Sequence, residues 1–208
     1  MIYLFVEGYG DARAASNLVT RLWADLGLPF IPIDTGKRLP NLHVNRGIQR
    51  AVDLIRTKSN ATGLLIIRDD EDHCPANTVK EKTDFIRLLA PPFPVAYVIM
   101  YREFETLFLP GLHLFAGRTI MHEQGTGGIR ISEEANFEGN PEEPRDAKGI
   151  ISGFYPGNKR YKPTMDQLPL TRLLDFNVIR DSDLPCFGTL ERCLKHLSAK
   201  QNTSLVYP

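Results

Sequence analysis

Three segments in the first half of the chain are continuous runs of apolar residues, rich in β-branched and aromatic side chains and of strand length. They are residues 2–6, 64–67 and 95–100. Apolar residues recur at helical spacing over residues 11–26, 44–57 and 76–90. Uniformly apolar strands are typical of a sheet that helices cover on both faces. The alternation of strands and helices therefore predicts right-handed crossovers and a mainly parallel sheet.

Two local signals refine this pattern. Asp11 stands at the start of the first helix, and we predict that it is the N-cap. Residues 30–33, Phe-Ile-Pro-Ile, are predicted to form a short strand. Pro32 favours the edge of the sheet for that strand, because proline cannot donate a ladder hydrogen bond.

The second half of the chain is less regular. We predict a short helix over residues 103–109 and a last helix over 188–198. Residues 121–150 are rich in glycine and acidic residues and show little periodicity, which predicts a long acidic loop. The predicted organisation is one domain, with an α/β core over residues 1–110. Over 111–208 we expect a long loop and a helical extension that packs on this core.

Acidic residues follow each of the three apolar strands. They are Glu7 after the first strand, Asp69, Asp70, Glu71 and Asp72 after the second, and Glu103 and Glu105 after the third. The carboxyl ends of parallel strands meet at one edge of a sheet, where such folds bind ligands. Carboxylates within about 4–6 Å of one another resist joint ionisation. A divalent cation relieves that repulsion, and an all-oxygen site suits Mg²⁺ or Mn²⁺ better than Zn²⁺. The competing interpretation is that these acids are solvated residues at strand ends.

Composition bounds the function further. Lys plus Arg and Asp plus Glu number 25 each, so no global field favours nucleic acid or a membrane surface. No apolar run reaches the roughly 18–20 residues of a membrane span. The three cysteines lack zinc-type spacing, which favours reduced thiols and a cytoplasmic location.

Four segments occur in a characteristic order along the chain. They are residues 6–8 (Val-Glu-Gly), 67–71 (Ile-Arg-Asp-Asp-Glu), 102–105 (Arg-Glu-Phe-Glu) and 161–167 (Tyr-Lys-Pro-Thr-Met-Asp-Gln). This order resembles the Toprim domain that topoisomerases, primases and the overcoming-lysogenization-defect nucleases share. More narrowly, it resembles a bacterial Toprim-like family, the domain-of-unknown-function family numbered 4276. The resemblance implies a Toprim/Rossmann-like α/β fold, here with a C-terminal helical extension, and a Mg²⁺-dependent nuclease.

Site residues follow from the resemblance position by position. It implies that Glu7 acts in acid/base work or holds a metal, and that Asp69 and Glu71 are the paired Mg²⁺-binding acids. Glu71 stands where aspartate is usual, and Asp70 with Asp72 is an alternative pair that the sequence leaves open. The resemblance also implies a metal-binding role, or support for it, for Glu103 and Glu105. A helix over 103–109 would turn these two side chains apart.

A basic and aromatic cluster comes later in the chain. Lys159, Arg160 and Lys162 can bind phosphates, and Tyr161 between them can stack on a base. An ordinary solvated loop is the competing interpretation. The resemblance implies a catalytic role for Lys162 and links it to Asp166.

The implied partners are nucleic acid, either DNA or RNA, and an ATPase of the AAA or ABC type in a bacterial phage-defence system. A homo-oligomer is a further option. The alternative function is a non-catalytic Toprim-like scaffold protein of such a system.

Overall fold

A parallel five-stranded sheet lies at the centre of the structure, a computed structural model that describes residues 1–8, 10–70, 74–122, 127–199 and 204–208. The strands are β1 (Ile2–Val6), β2 (Lys37–Arg38), β3 (Gly63–Asp70), β4 (Val95–Tyr101) and β7 (Val206–Tyr207). Their order across the sheet is β2-β1-β3-β4-β7. A separate antiparallel pair is formed by β5 (Thr119–Met121) and β6 (Gly128–Arg130).

Helices cover both faces of the sheet, which confirms the predicted α/β fold. The α-helices are α1 (Asp11–Asp25), α2 (Asn45–Arg56), α3 (Pro75–Leu88), α4 (Ala147–Gly153), α5 (Leu168–Thr171), α6 (Phe176–Asp181) and α7 (Pro185–Ser198). Two 3₁₀ helices, Phe104–Phe108 and Leu112–Phe115, follow β4. A π-helical turn, Pro163–Gln167, leads directly into α5.

The sheet separates two apolar cores, because successive side chains of a strand point to opposite faces. Leu4 and Leu65 belong to one core, together with residues of α1 and α7. Phe5 and Ile66 belong to the other, together with residues of α2 and α3. We call these two sides the α1 face and the α2 face. A residue near a strand end contacts groups on the face to which its side chain points.

Two local predictions near β1 are wrong. Residues 30–33 form no strand: only Ile33 bridges to Ile2, and the edge strand is β2 instead. Pro32 contributes its carbonyl to the Ile2 amide at 2.8 Å, but it has no N–H with which to extend a ladder. Asp11 is the first residue of α1 rather than its N-cap, which is Gly10. Its carboxylate accepts a hydrogen bond from the Gly8 amide at 3.0 Å.

The C-terminal part of the chain packs against α1 and β4. Arg21 on α1 donates hydrogen bonds to the Thr171 carbonyl at 2.6 Å and to the Leu174 carbonyl at 2.7 Å. Its guanidinium lies 4.8 Å from the centre of the Phe176 ring. The region predicted as a long acidic loop contains β6 and the start of α4. Strand β7 pairs with Val95 and Ala96, and its two-residue length left no periodic signal in the sequence.

No helix among the described residues has both the length and the apolar character needed to cross a membrane.

Candidate functional site

Strand β3 is longer than its apolar run, and this changes the geometry of the acidic motif. It continues through Asp70, in register with β4, so the prediction that the motif lies beyond the strand is wrong. Neighbouring residues on a strand point to opposite faces. Arg68 and Asp70 therefore lie on the α2 face, and Asp69 lies on the α1 face.

Glu7 belongs to a cluster on the α2 face. Its Oε1 lies 2.6 Å from His43 Nδ1, and its Oε2 lies 3.9 Å from Arg68 Nε. The buried guanidinium of Arg68 also pairs with Asp70 Oδ2 at 3.1 Å. Arg38 donates to the Glu7 carbonyl oxygen at 3.1 Å. The carboxylates of this cluster are therefore matched by cationic or basic partners.

A second cluster lies on the α1 face and consists of Asp11, Asp69, Glu103 and Glu105, with Lys148 from α4; we call it the acidic cluster. Lys148 Nζ lies 2.6 Å from Glu103 Oε2 and 3.4 Å from Glu105 Oε2. The Lys148 backbone amide also donates to Glu103 Oε1 at 3.1 Å. Asp11 lies close enough to Asp69 for its charge to raise the pKa of Asp69.

A strained turn brings Glu103 to this cluster. Arg102 has a φ of 68°, in the left-handed region that non-glycine residues rarely adopt. Glu103 itself is extended, with φ −154° and ψ 159°, and the 3₁₀ helix begins only at Phe104. The expectation that a helix would separate Glu103 from Glu105 is wrong for this reason. Both carboxylates reach the same ammonium group.

Burial and mutual repulsion dominate the electrostatics of the acidic cluster. Burial raises the pKa of Asp69 well above its usual range, and the charges of Asp11 and Glu105 raise it further. Burial also raises the pKa of Glu105 to about 7, against the opposing effects of Lys148 and Tyr161. Burial disfavours the charged form of Lys148, but the neighbouring Glu105 and Glu103 outweigh it and raise its pKa. The cluster therefore favours binding of a proton or a cation.

The segment 159–167 lies against the acidic cluster and contributes buried side chains to it. The Tyr161 hydroxyl donates to Glu105 Oε1 at 2.8 Å, and Gln167 Nε2 donates to Asp11 Oδ1 at 3.0 Å. Tyr161 is 6% exposed, so its ring is not available to stack on a base, contrary to the sequence prediction. Asp166 accepts a hydrogen bond from the Lys162 backbone amide at 2.7 Å.

The three basic residues of this segment surround a cavity, which we call the basic pocket. The cavity has a volume of about 490 Å³, and its lining includes Lys159, Arg160, Lys162, His122 and Asp166. His122 Nε2 lies 3.0 Å from Asp166 Oδ1. Asp166 is buried, and burial raises its pKa. The basic side chains thus belong to a segment that the buried residues Tyr161, Asp166 and Gln167 anchor in the protein.

The structure divides the residues that the sequence placed in one site. Asp69, Glu103 and Glu105 come together on the α1 face, whereas Glu7 lies on the α2 face with Arg68. Asp70 pairs with Arg68 on that same face, away from Asp69. Glu71 lies outside the described residues, as does Asp72, the partner of Asp70 in the alternative pair.

Sequence reasoning missed several residues of the two sites. Asp11 was interpreted only as a helix cap, although it follows the first strand end by five positions. Lys148 and His122 lie in the region without periodicity, so no pattern pointed to them. Gln167 belongs to the 161–167 segment but received no role.

The residues of the acidic cluster partly satisfy the requirements of a Mg²⁺ site. All four carboxylates offer the oxygen ligands that Mg²⁺ prefers. Glu105 Oε2 is buried and has no hydrogen-bond partner of good geometry. As arranged around Lys148, however, the described residues contain no group of three or more His, Cys, Asp or Glu side chains positioned to hold a metal ion. Metal binding here requires the ammonium group to move.

The chain shows no significant match to any protein-family model, curated protein or solved structure.

Proposed function

We propose that this protein is a Mg²⁺-dependent phosphodiester hydrolase, a nuclease whose metal is held at the acidic cluster. Asp69, Glu103 and Glu105 are the proposed ligands, with Asp11 beside them. The observation that supports this most is that Glu103 and Glu105 share one ammonium group, with the charges of Asp69 and Asp11 nearby and with Glu105 Oε2 lacking a hydrogen-bond partner. Glu71 enters the proposal through the Toprim resemblance alone, and Glu7 lies on the other face, outside the proposed ligand set.

A Mg²⁺ or Mn²⁺ ion bound there would neutralise charge on a phosphodiester and activate a water molecule as nucleophile. The remaining roles fall to residues of the chain. Asp11 is held by the Gly8 amide and by Gln167, which fixes one carboxylate beside Asp69. Lys148 is more exposed than the acids that it contacts, at 37% of its side chain against 1% for Glu105, so it can withdraw as a divalent ion enters.

Nucleic acid is the proposed substrate because Tyr161, which contacts Glu105, stands in the chain between Arg160 and Lys162 of the basic pocket. Its basic residues can neutralise backbone phosphates locally, although the formal net charge of the chain is zero. Lys162 is the proposed phosphate contact nearest to the reaction. The resemblance adds the expectation of a cytoplasmic phage-defence system with a partner ATPase of the AAA or ABC type.

Cleavage assays test this proposal. The purified protein is incubated with supercoiled plasmid, single-stranded DNA and tRNA in Mn²⁺, Mg²⁺ or EDTA. We expect metal-dependent cleavage of at least one substrate and a loss of about 100-fold or more in Asp69→Asn, since a direct metal ligand is removed. Asp53→Asn, at an exposed position on α2, is the matched control and keeps activity. Full activity of Asp69→Asn would contradict the proposed site.

A non-catalytic scaffold is the second candidate function, and one observation favours it. Lys148 already neutralises part of the acidic cluster from within the chain, as in a purely structural ion-pair network. If Mn²⁺ gives neither cleavage nor a rise in melting temperature, the scaffold function is favoured, because a ligand that binds the folded state must stabilise it.

A further inference from the structure

Among the described residues, the basic side chains that line the basic pocket outnumber the acidic ones. Lys159, Arg160 and Lys162 are all exposed at its rim, and no described carboxylate forms an ion pair with any of them. Neighbouring cations repel one another. Three of them around one cavity therefore favour the binding of an anion there. The only acid in the described lining is Asp166, whose carboxylate accepts from the Lys162 amide and lies against His122.

The wall of the pocket contains a second, independent feature. The side chain of His122 is 10% exposed, and its Nε2 is held 3.0 Å from Asp166 Oδ1. Both ring nitrogens are buried, and neither forms a hydrogen bond of good geometry among the described residues. Buried polar atoms normally have a partner, so an unpaired imidazole nitrogen beside a cavity points to a ligand or a bridging water.

We propose that the basic pocket binds a terminal phosphate, the phosphomonoester at the end of a nucleic-acid strand or on a free nucleotide. The three cations and Asp166 give the described lining of the pocket a formal charge of about +2. A phosphomonoester carries close to two negative charges at neutral pH. A backbone phosphodiester carries one and would leave the pocket charge unbalanced. The cavity volume of about 490 Å³ is in the range of small-ligand sites.

This inference deepens the proposed function, because it uses the same basic residues and specifies which phosphate they bind. It would also bring the end of a nucleic-acid strand towards the acidic cluster. Tyr161, which contacts Glu105, stands between Arg160 and Lys162 in the chain. Binding of the phosphate requires neither a metal nor cleavage, and it is therefore measured in EDTA.

Fluorescence anisotropy tests the proposal with short single-stranded oligonucleotides that differ only in their ends. One carries a 5′-phosphate, one a 3′-phosphate, and one hydroxyl groups at both ends. We expect at least one phosphorylated end to bind about tenfold or more tightly than the hydroxyl form, as charge-assisted hydrogen bonds provide. Lys162→Gln and Arg160→Gln should each reduce that preference. Lys58→Gln, at an exposed position elsewhere, should keep it.

Competition distinguishes the two sources of the phosphate. A nucleoside monophosphate that displaces the phosphorylated oligonucleotide would identify the phosphate itself as sufficient. Displacement by phosphorylated oligonucleotides alone would identify the strand end. Equal affinity for phosphorylated and hydroxyl ends in the wild type would overturn the proposal. So would an undiminished preference in both Lys162→Gln and Arg160→Gln. Preferential binding without any metal-dependent cleavage would count against the proposed nuclease only.

Discussion

Lys148 Nζ lies 2.6 Å from Glu103 Oε2, and this ion pair ties α4 to the turn that follows β4. The same ammonium lies 3.4 Å from Glu105 Oε2, so one cation serves two carboxylates of the acidic cluster. The carboxylates are buried and fixed, whereas the lysine is partly exposed. A divalent ion and the ammonium group therefore compete for the same oxygens, and this competition can be measured.

Removing the ammonium should destabilise the protein and increase its response to metal. We expect Lys148→Gln to lose about 1–3 kcal/mol of unfolding free energy at pH 8 without metal. This is less than for a fully buried pair, because Lys148 is partly exposed. Added Mg²⁺ should restore much of that loss. Urea unfolding with and without Mg²⁺ measures both effects, with Lys58→Gln as the control. A variant as stable as the wild type would show that Lys148 does not neutralise the cluster.

The raised pKa of Glu105 predicts a dependence of stability on pH. Its pKa is about 7 in the folded protein, against 4.5 ordinarily, so folding favours the protonated carboxyl. This contribution to stability is fully present below about pH 4.5 and is lost as the pH rises through 7. In EDTA, we expect Glu105→Gln to remove a decline on the order of 2–3 kcal/mol between pH 5 and pH 8.

Urea unfolding at pH 5 and pH 8 measures the Glu105 effect, because most of the pH-dependent change in stability lies between these two values. Glu134→Gln, at an exposed site, should keep the wild-type decline. An identical pH dependence in Glu105→Gln and the wild type would contradict a buried, protonatable Glu105.

Arg21 should make a large contribution to holding the C-terminal part of the chain on α1. Arg21→Met removes charged hydrogen bonds to the Thr171 and Leu174 carbonyls and the contact with the Phe176 ring. We expect a loss of about 2 kcal/mol in unfolding free energy, because hydrogen bonds from charged donors are strong. Urea denaturation should show a lower midpoint with an unchanged slope. Arg50→Met, on the exposed side of α2, should leave the midpoint unchanged.

The thiols should differ sharply in reactivity. Cys74 is exposed, whereas Cys186 and Cys193 on α7 are buried, and burial raises the pKa of each to about 12. Because the thiolate is the reactive species, we expect one fast-reacting thiol at pH 8 with a disulfide reagent. The other two should react only after unfolding. Fast reaction of Cys186 or Cys193 in the native protein would show that α7 does not pack as described.

The regular part of the fold could be predicted from the sequence, because apolar periodicity reports directly on which residues are buried. The first three long helices and the strands β1 and β4 appear close to their predicted bounds, whereas β3 continues three residues beyond its predicted end. The short strands β2 and β7 were missed, because a strand of two residues is too short to show a hydrophobic pattern. The wrong assignment of 30–33 arose because an apolar sequence with a proline can lie along a sheet edge through a single bridge.

The candidate site could be predicted only in part, because its geometry depends on where one strand ends. With β3 continued to Asp70, Asp69 and Asp70 face opposite sides, and Glu7 and Asp69 no longer share a pocket. The left-handed turn at Arg102 brings Glu103 back beside Glu105, although Arg102 is not a residue type that favours this conformation. Lys148 and His122 reach the sites through tertiary packing alone.

The most direct test of the metal site is an anomalous difference map from a crystal of the protein soaked in Mn²⁺. We predict a strong peak on the α1 face beside Asp69, within ligand distance of Glu103 or Glu105, with the Lys148 side chain displaced. No peak there at saturating Mn²⁺, or a peak only beside Glu7 and His43, would contradict the proposed metal centre.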